Sequence, residues 1–150
     1  MTAKRNNSYQ EYETTSQSIP RFNRVILLDD NDIDLEIEST LLKGLNLAKQ
    51  IDKRMKAESV LNELRSLKRL DEVPDLIFLD LQMPDMSGYD FLVAFNTMPE
   101  FVKKNCSIII VSSAKKEDDI NRTYMFPNVI KYVSKPIDVK DVREIITMPA

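Results

Sequence analysis

Histidine is missing from this 150-residue chain, and it has one cysteine and two glycines. Each shortage removes a class of chemistry. Without an imidazole there is no histidine-based metal site and no histidine-dependent catalysis, and Cys106, standing alone, cannot form an internal disulfide. Gly44 and Gly88 are too few for a glycine-rich phosphate loop, which disfavours a nucleotide or flavin fold. No apolar stretch approaches the ~18 residues needed to span a bilayer, and the N-terminus lacks the apolar core of a signal peptide. A reducing cytoplasm and no membrane contact are the expectation. The formal charge of -3 is small and the basic residues are scattered, so no direct nucleic-acid binding is expected.

What the chain does have is enough apolar mass for one soluble core, with 43% hydrophobic and 30% charged residues. Residues 1–20 are polar, aperiodic and rich in Ser, Thr, Asn and Gln, and read as a flexible tail. From Phe22 onward apolar runs alternate with amphipathic segments, the pattern of a βα repeat with parallel strands. Strands are predicted over Arg24 to Leu28, Leu47 to Ile51, Leu76 to Leu79, Ser107 to Val111 and Val129 to Val133. Lys49 and Gln50 mark the second as an edge, and the β-branched fourth as buried on both faces. The first helix starts at Asn31 or Asp32 and runs to about Leu42, with Ile33, Ile37 and Leu41 inward, Asp34, Glu36 and Glu38 outward, and Gly44 as its stop. Further helices are predicted over Ala57 to Arg69, Tyr89 to Thr97, Lys116 to Phe126 and Val139 to Thr147.

Chemistry gathers on one edge of such a sheet. Asp29 and Asp30 end the first strand, Asp80 the third, Ser112 the fourth, and Lys135 the fifth, and open α/β sheets bind ligands at that edge. Two carboxylates about 4 Å apart repel by roughly 4 kcal/mol at an effective dielectric near 20, so the cluster calls for a proton or a cation. Oxygen-only ligation suits Mg²⁺ best and Mn²⁺ next. Lys135 and the Ser112 hydroxyl can meet an anion, which makes the edge a phosphoryl-transfer site with an aspartate oxygen as nucleophile. Singly, each residue has an ordinary explanation: an Asp-Asp-Asn-Asp run caps a helix, and Lys135-Pro136 ends a strand. In order on one sheet edge, they make a site.

These residues resemble the receiver domains of two-component response regulators over about Arg21 to Thr147. The resemblance rests on Asp29-Asp30, the stretch LDLQMPDMSG from Leu79 to Gly88, Ser112, and Lys135-Pro136. It implies a flavodoxin-like, doubly wound α/β fold with five parallel strands in the order 2-1-3-4-5 and helices on both faces. It also implies that Asp80 accepts a phosphoryl group from a phosphohistidine on a sensor histidine kinase or histidine phosphotransfer protein. By the same carry-over Asp30 and Asp80 ligate Mg²⁺ directly, Asp29 helps through water, and the Gln82 backbone carbonyl supplies another oxygen. Lys135 and Ser112 contact the phosphoryl group, and Tyr132 follows Ser112 as an aromatic switch that repacks the face made by the Lys116 to Phe126 helix, the fifth strand and the last helix.

No turnover enzyme is expected: a haloacid-dehalogenase-like phosphatase would carry a second aspartate where Gln82 stands. A non-phosphorylated pseudo-receiver acting as a protein-binding module would normally have lost an acidic or lysine position, and none is lost. Departures from the family pattern fall at Asn128 and Val129, where receivers often carry Gly-Ala; Asn128 is expected to replace the glycine as a left-handed helix stop. Gln82 and Ala114 offer no carboxylate to attacking water, and the last helix is short. With no output domain before Ala150, the chain reads as a stand-alone receiver, monomeric or dimerising on phosphorylation; a receiver cut from a longer hybrid protein is the alternative.

Overall fold

Four consecutive β-branched residues, Ile108 to Val111, are almost wholly excluded from solvent because their strand is covered on both sides. The computed structural model describes residues 19–113 and 116–149, so most of the polar N-terminal segment and Ala114 lie outside the described residues. The elements run β1 (Phe22–Leu28), α1 (Asp32–Gly44), β2 (Ala48–Arg54), α2 (Ala57–Ser66), β3 (Leu76–Leu79), α3 (Gly88–Phe95), α4 (Glu100–Asn105), β4 (Ser107–Ser112), α5 (Glu117–Tyr124), β5 (Val129–Ser134) and α6 (Val139–Ile146). A single 3-10 turn, Leu70–Glu72, precedes β3. All five strands are parallel in the order β2-β1-β3-β4-β5, the flavodoxin-like arrangement expected. The charged strand β2 is indeed an edge, its polar residues limiting unwanted pairing.

Alternate strand residues point to opposite faces, so the sheet supports two cores. Ile26, Leu28, Ile77, Leu79, Ile108 and Ile110 pack with Val60, Leu61 and Leu64 of α2 and with Phe91, Leu92 and Phe95 of α3. On the other face Val25, Leu27, Phe78, Ile109 and Val111 pack with Leu35 and Leu42 of α1 and with Val142 and Ile145 of α6. Burying each such aliphatic or aromatic side chain contributes roughly 1.5–3 kcal/mol, so β1, β3 and β4 are held from both sides.

Helix α1 corrects the expected orientation. Its N-cap is Asn31, as predicted, with the side-chain oxygen accepting from the Ile33 and Asp34 amides. The buried stripe, however, is Leu35, Glu38, Ser39 and Leu42, while Ile33 and Ile37 are 66% and 55% exposed and Leu41 is half-buried. Leu35, Ser39 and Leu42 also fall at helical spacing, and the small Ser39 permits close approach to the sheet. Glu38, placed outside by its charge, is therefore inside.

Smaller differences follow. Gly44 is the last residue of α1, as expected of its stop, and the left-handed residue that follows is Asn46 (φ 54°). Asn128 is not a left-handed stop; its side-chain amide donates to the carbonyls of Lys103 and Cys106, tying the turn before β5 to the end of α4. Helix α4 was not expected, and α2 ends at Ser66 rather than Arg69.

Candidate functional site

Sheet register sets the site. Leu28 pairs with Leu79 across β1 and β3, so Asp29 and Asp80, each one residue further on, emerge side by side. Their amides extend the ladders: Asp29 donates to the Arg54 carbonyl at 3.1 Å and Asp80 to that of Leu28 at 3.1 Å. On the other side Ser112 pairs with Ser134, which brings Lys135, the next residue, to the same edge. Asp29, Asp80 and Ser112 are buried and Asp30 is exposed.

The Lys135 ammonium joins these groups. Its Nζ donates to Asp29 Oδ2 at 2.7 Å, to Asp34 Oδ2 at 3.0 Å and to Asp80 Oδ2 at 3.4 Å. The remaining oxygens of the two buried aspartates accept from backbone amides two residues on, Asp29 Oδ1 from Asn31 at 2.9 Å and Asp80 Oδ1 from Gln82 at 3.1 Å. Carboxylate oxygens of Asp29, Asp30 and Asp80 can all lie within 4.8 Å of one another. This all-oxygen, carboxylate-rich donor set fits a hard divalent cation.

Electrostatics agree with that crowding. Burial, reinforced by the charge of Asp29, pushes Asp80 up to about 6, although the Gln82 amide and Lys135 both favour its ionised form. For Lys135 burial works against the charge, but hydrogen bonds to Asp29 and Asp34 and the field of Asp80 outweigh it, holding the ammonium above its ordinary value. Glu38, one turn beyond Asp34, is raised to about 7 by burial and then by the charge of Asp29. Its proton is held more tightly in the folded state, so the cost of burial is absent below about pH 4.5 and complete above about pH 7. Glu38→Gln is expected to raise stability by about 1–2 kcal/mol at pH 8, after allowance for screening, and leave it unchanged at pH 4. Urea denaturation at the two pH values checks this; equal gains at both would remove the buried carboxylate as the cause.

The loop after Asp80 is fixed by Gly88. A Cβ there would stand 2.6 Å from Leu81 Cα and 2.9 Å from the Asp80 carbonyl oxygen, while the Gly88 amide donates to the Leu81 carbonyl. Gly88→Ala is thus expected to cost about 1–3 kcal/mol and to displace Asp80, seen as a lowered melting temperature together with weakened Mg²⁺ binding. Across the site the Ser113 hydroxyl donates to Gln82 Oε1 at 3.1 Å, linking the loops that follow β4 and β3.

Tyr132 stands apart from the carboxylates. It is half-buried on β5 against the core that holds Tyr89 and Phe126, and its backbone N–H donates to the Tyr124 hydroxyl at 2.9 Å. Tyr89 in turn donates from its hydroxyl to the Asp119 carbonyl and lies under the Arg122 guanidinium at 4.0 Å. Asp29, Asp30, Asp80, Ser112 and Lys135 thus share one sheet edge, while Tyr132, expected as a switch aromatic and not as a ligand, lies on β5. Asp34 and Glu38 were missed because both were placed on the outer face of α1. The alternative stripe through Leu35, Ser39 and Leu42 was the signal that would have moved them.

A family model for the response regulator receiver domain matches residues 25–147. A sensor histidine kinase, CheAY, from Helicobacter pylori is 31% identical over 123 residues, covering 82% of this chain and 14% of the kinase. The two-component response regulator ORR8 from Oryza sativa subsp. indica is 30% identical over 123 residues, covering 81% of this chain and 93% of the relative. Among solved structures, a response regulator receiver protein from Dyadobacter fermentans superimposes with a TM-score of 0.73 at 29% identity, covering 82% of this chain and 94% of that one. The chain spans about half or less of the length of the first curated relatives it matches. Among the described residues no helix is long and apolar enough to cross a membrane.

Proposed function

Since the chain belongs to the response regulator receiver domain family of two-component signalling, we propose that Asp80 accepts a phosphoryl group from a phosphohistidine on a partner protein. The observation that carries this reading is the convergence of Asp29, Asp30, Asp80 and Lys135 at one sheet edge. An Asp80 carboxylate oxygen attacks phosphorus, a P–O bond forms as the donor's P–N bond breaks, and the donor imidazole keeps the electron pair. The attack requires the ionised carboxylate, which Lys135 and the Gln82 amide favour against the effect of burial. Asp30 and Asp80 would hold Mg²⁺ (or Mn²⁺) directly, with Asp29 assisting through water and the Gln82 carbonyl as a further oxygen. When bound, the ion supplies positive charge against the developing phosphoryl charge. Lys135 and Ser112 take phosphoryl oxygens. No turnover beyond slow self-dephosphorylation is proposed.

Phosphorylation adds about -1.5 to -2 of charge at this edge. Ser112 then moves toward the phosphoryl group and Tyr132, on the neighbouring strand, repacks. The face of α5, β5 and α6 carries exposed Tyr124, Met125, Ile130 and Val139, which suits an effector surface altered by such repacking. The donor has a different seat. Ile33, Ile37 and Met55 form an exposed apolar groove beside the acidic edge, with Glu36 and Lys53 among its lining.

Intact mass after incubation with Mg²⁺ and acetyl phosphate tests the acceptor: a gain of one phosphoryl group supports it, and no gain from acetyl phosphate or a phosphorylated kinase favours a binding module instead. For the groove, the Ile33→Ser/Ile37→Ser variant is expected to slow transfer from a phosphorylated protein donor roughly tenfold and leave uptake from acetyl phosphate unchanged. Equal slowing with both donors would show damage to the site rather than loss of docking.

A further inference from the structure

An ammonium has three N–H donors, and all three of Lys135's meet carboxylates here: Asp29, Asp34 and Asp80. A phosphoryl oxygen on Asp80 can therefore engage Lys135 only by displacing one of them. We infer that Asp34, which the metal and acceptor roles leave unused, is a positioning residue that competes with the phosphoryl group for Lys135. This rests on the acceptor reading above.

Geometry sets the order of the contacts. The Asp29 bond is the shortest at 2.7 Å, and Asp29 is further fixed by the Asn31 amide. The Asp80 contact is the longest of the three, at 3.4 Å, and its carboxyl is the group being modified. Asp34 lies between them at 3.0 Å and its side chain is 37% exposed, so it can be rehydrated at little cost when Lys135 leaves. It projects from the first turn of α1, whose start is fixed by the Asn31 cap, so the anchor point is rigid. Asp34 thus draws the ammonium toward α1 and away from Asp80 in the resting protein. That pull lowers affinity for a phosphoryl group and shortens its hold on Lys135.

Beryllofluoride binding in the presence of Mg²⁺, followed by fluorine NMR, measures the competition. Asp34→Asn keeps an oxygen acceptor but removes the charge, and is expected to bind beryllofluoride about fivefold more tightly than the native protein, while Asp34→Glu restores native affinity. The gain should disappear in a Lys135→Ala background, because a residue acting through Lys135 has nothing to act on there. Independently of any ligand, the Lys135 ammonium resonance in nitrogen-15 NMR should exchange faster with solvent in Asp34→Asn. Unchanged affinity in Asp34→Asn, a gain that survives without Lys135, or unaltered ammonium exchange would overturn the role of Asp34. If the native protein binds no beryllofluoride and takes up no phosphoryl group, the acceptor reading itself fails.

Discussion

Asp80→Asn is expected to abolish phosphoryl uptake and, in metal-free buffer at pH 8, to make the protein more stable. The first effect removes the nucleophile. The second follows from burial and the neighbouring Asp29, which push the Asp80 carboxyl up to about 6 from an ordinary 3.8. A group that binds its proton more tightly when folded costs nothing below about pH 4, where both states are protonated, and its full penalty above about pH 6. After discounting for solvent, the penalty is on the order of 1–2 kcal/mol. Urea denaturation of both proteins in chelator, at pH 4 and pH 8, should show a gain for Asp80→Asn at pH 8 only. Mg²⁺ should stabilise the native protein more than the variant, since the variant has lost a ligand. A variant less stable than the native protein at pH 8 would mean that Asp80 is held by favourable contacts, not kept under electrostatic strain.

Removing Lys135 should act in the opposite direction and by more. Lys135→Ala leaves Asp29 and Asp80, both buried, with their common cation gone, and breaking a buried pair from one side costs roughly 3 kcal/mol. The loss should be largest in chelator and smaller with Mg²⁺, because a divalent ion neutralises the same carboxylates. The variant is also expected to lose its structural response to beryllofluoride, read as amide exchange around Tyr132. Equal stability of variant and native protein in chelator would show that the three contacts to Lys135 contribute little net energy.

The strands were legible because burial on both faces demands uninterrupted apolar runs, and Leu76–Leu79 was located residue for residue. Their parallel register then placed Asp29, Asp80, Ser112 and Lys135 at one edge without further assumption. Helix α1 was less legible because two stripes share its sequence. Isoleucines at 33 and 37 have the stronger apolar signal, yet the helix turns Leu35, Ser39 and Leu42 to the sheet, and this rotation carries Glu38 inside and Asp34 to Lys135. Charge and hydropathy alone cannot foresee that, since Asp34 finds its partner Lys135 101 residues away. Asn128 was misjudged for a similar reason: its amide meets carbonyls of α4 and the residue after it, and α4 was not expected.

The position that takes the phosphoryl group can be read directly. Borohydride reduces an aspartyl phosphate to homoserine, so protein incubated with Mg²⁺ and acetyl phosphate, reduced and digested should yield a peptide with homoserine at position 80 and unmodified aspartates at 29, 30 and 34. Homoserine at any of those three positions, or its absence from position 80, would contradict the assignment of Asp80 as acceptor.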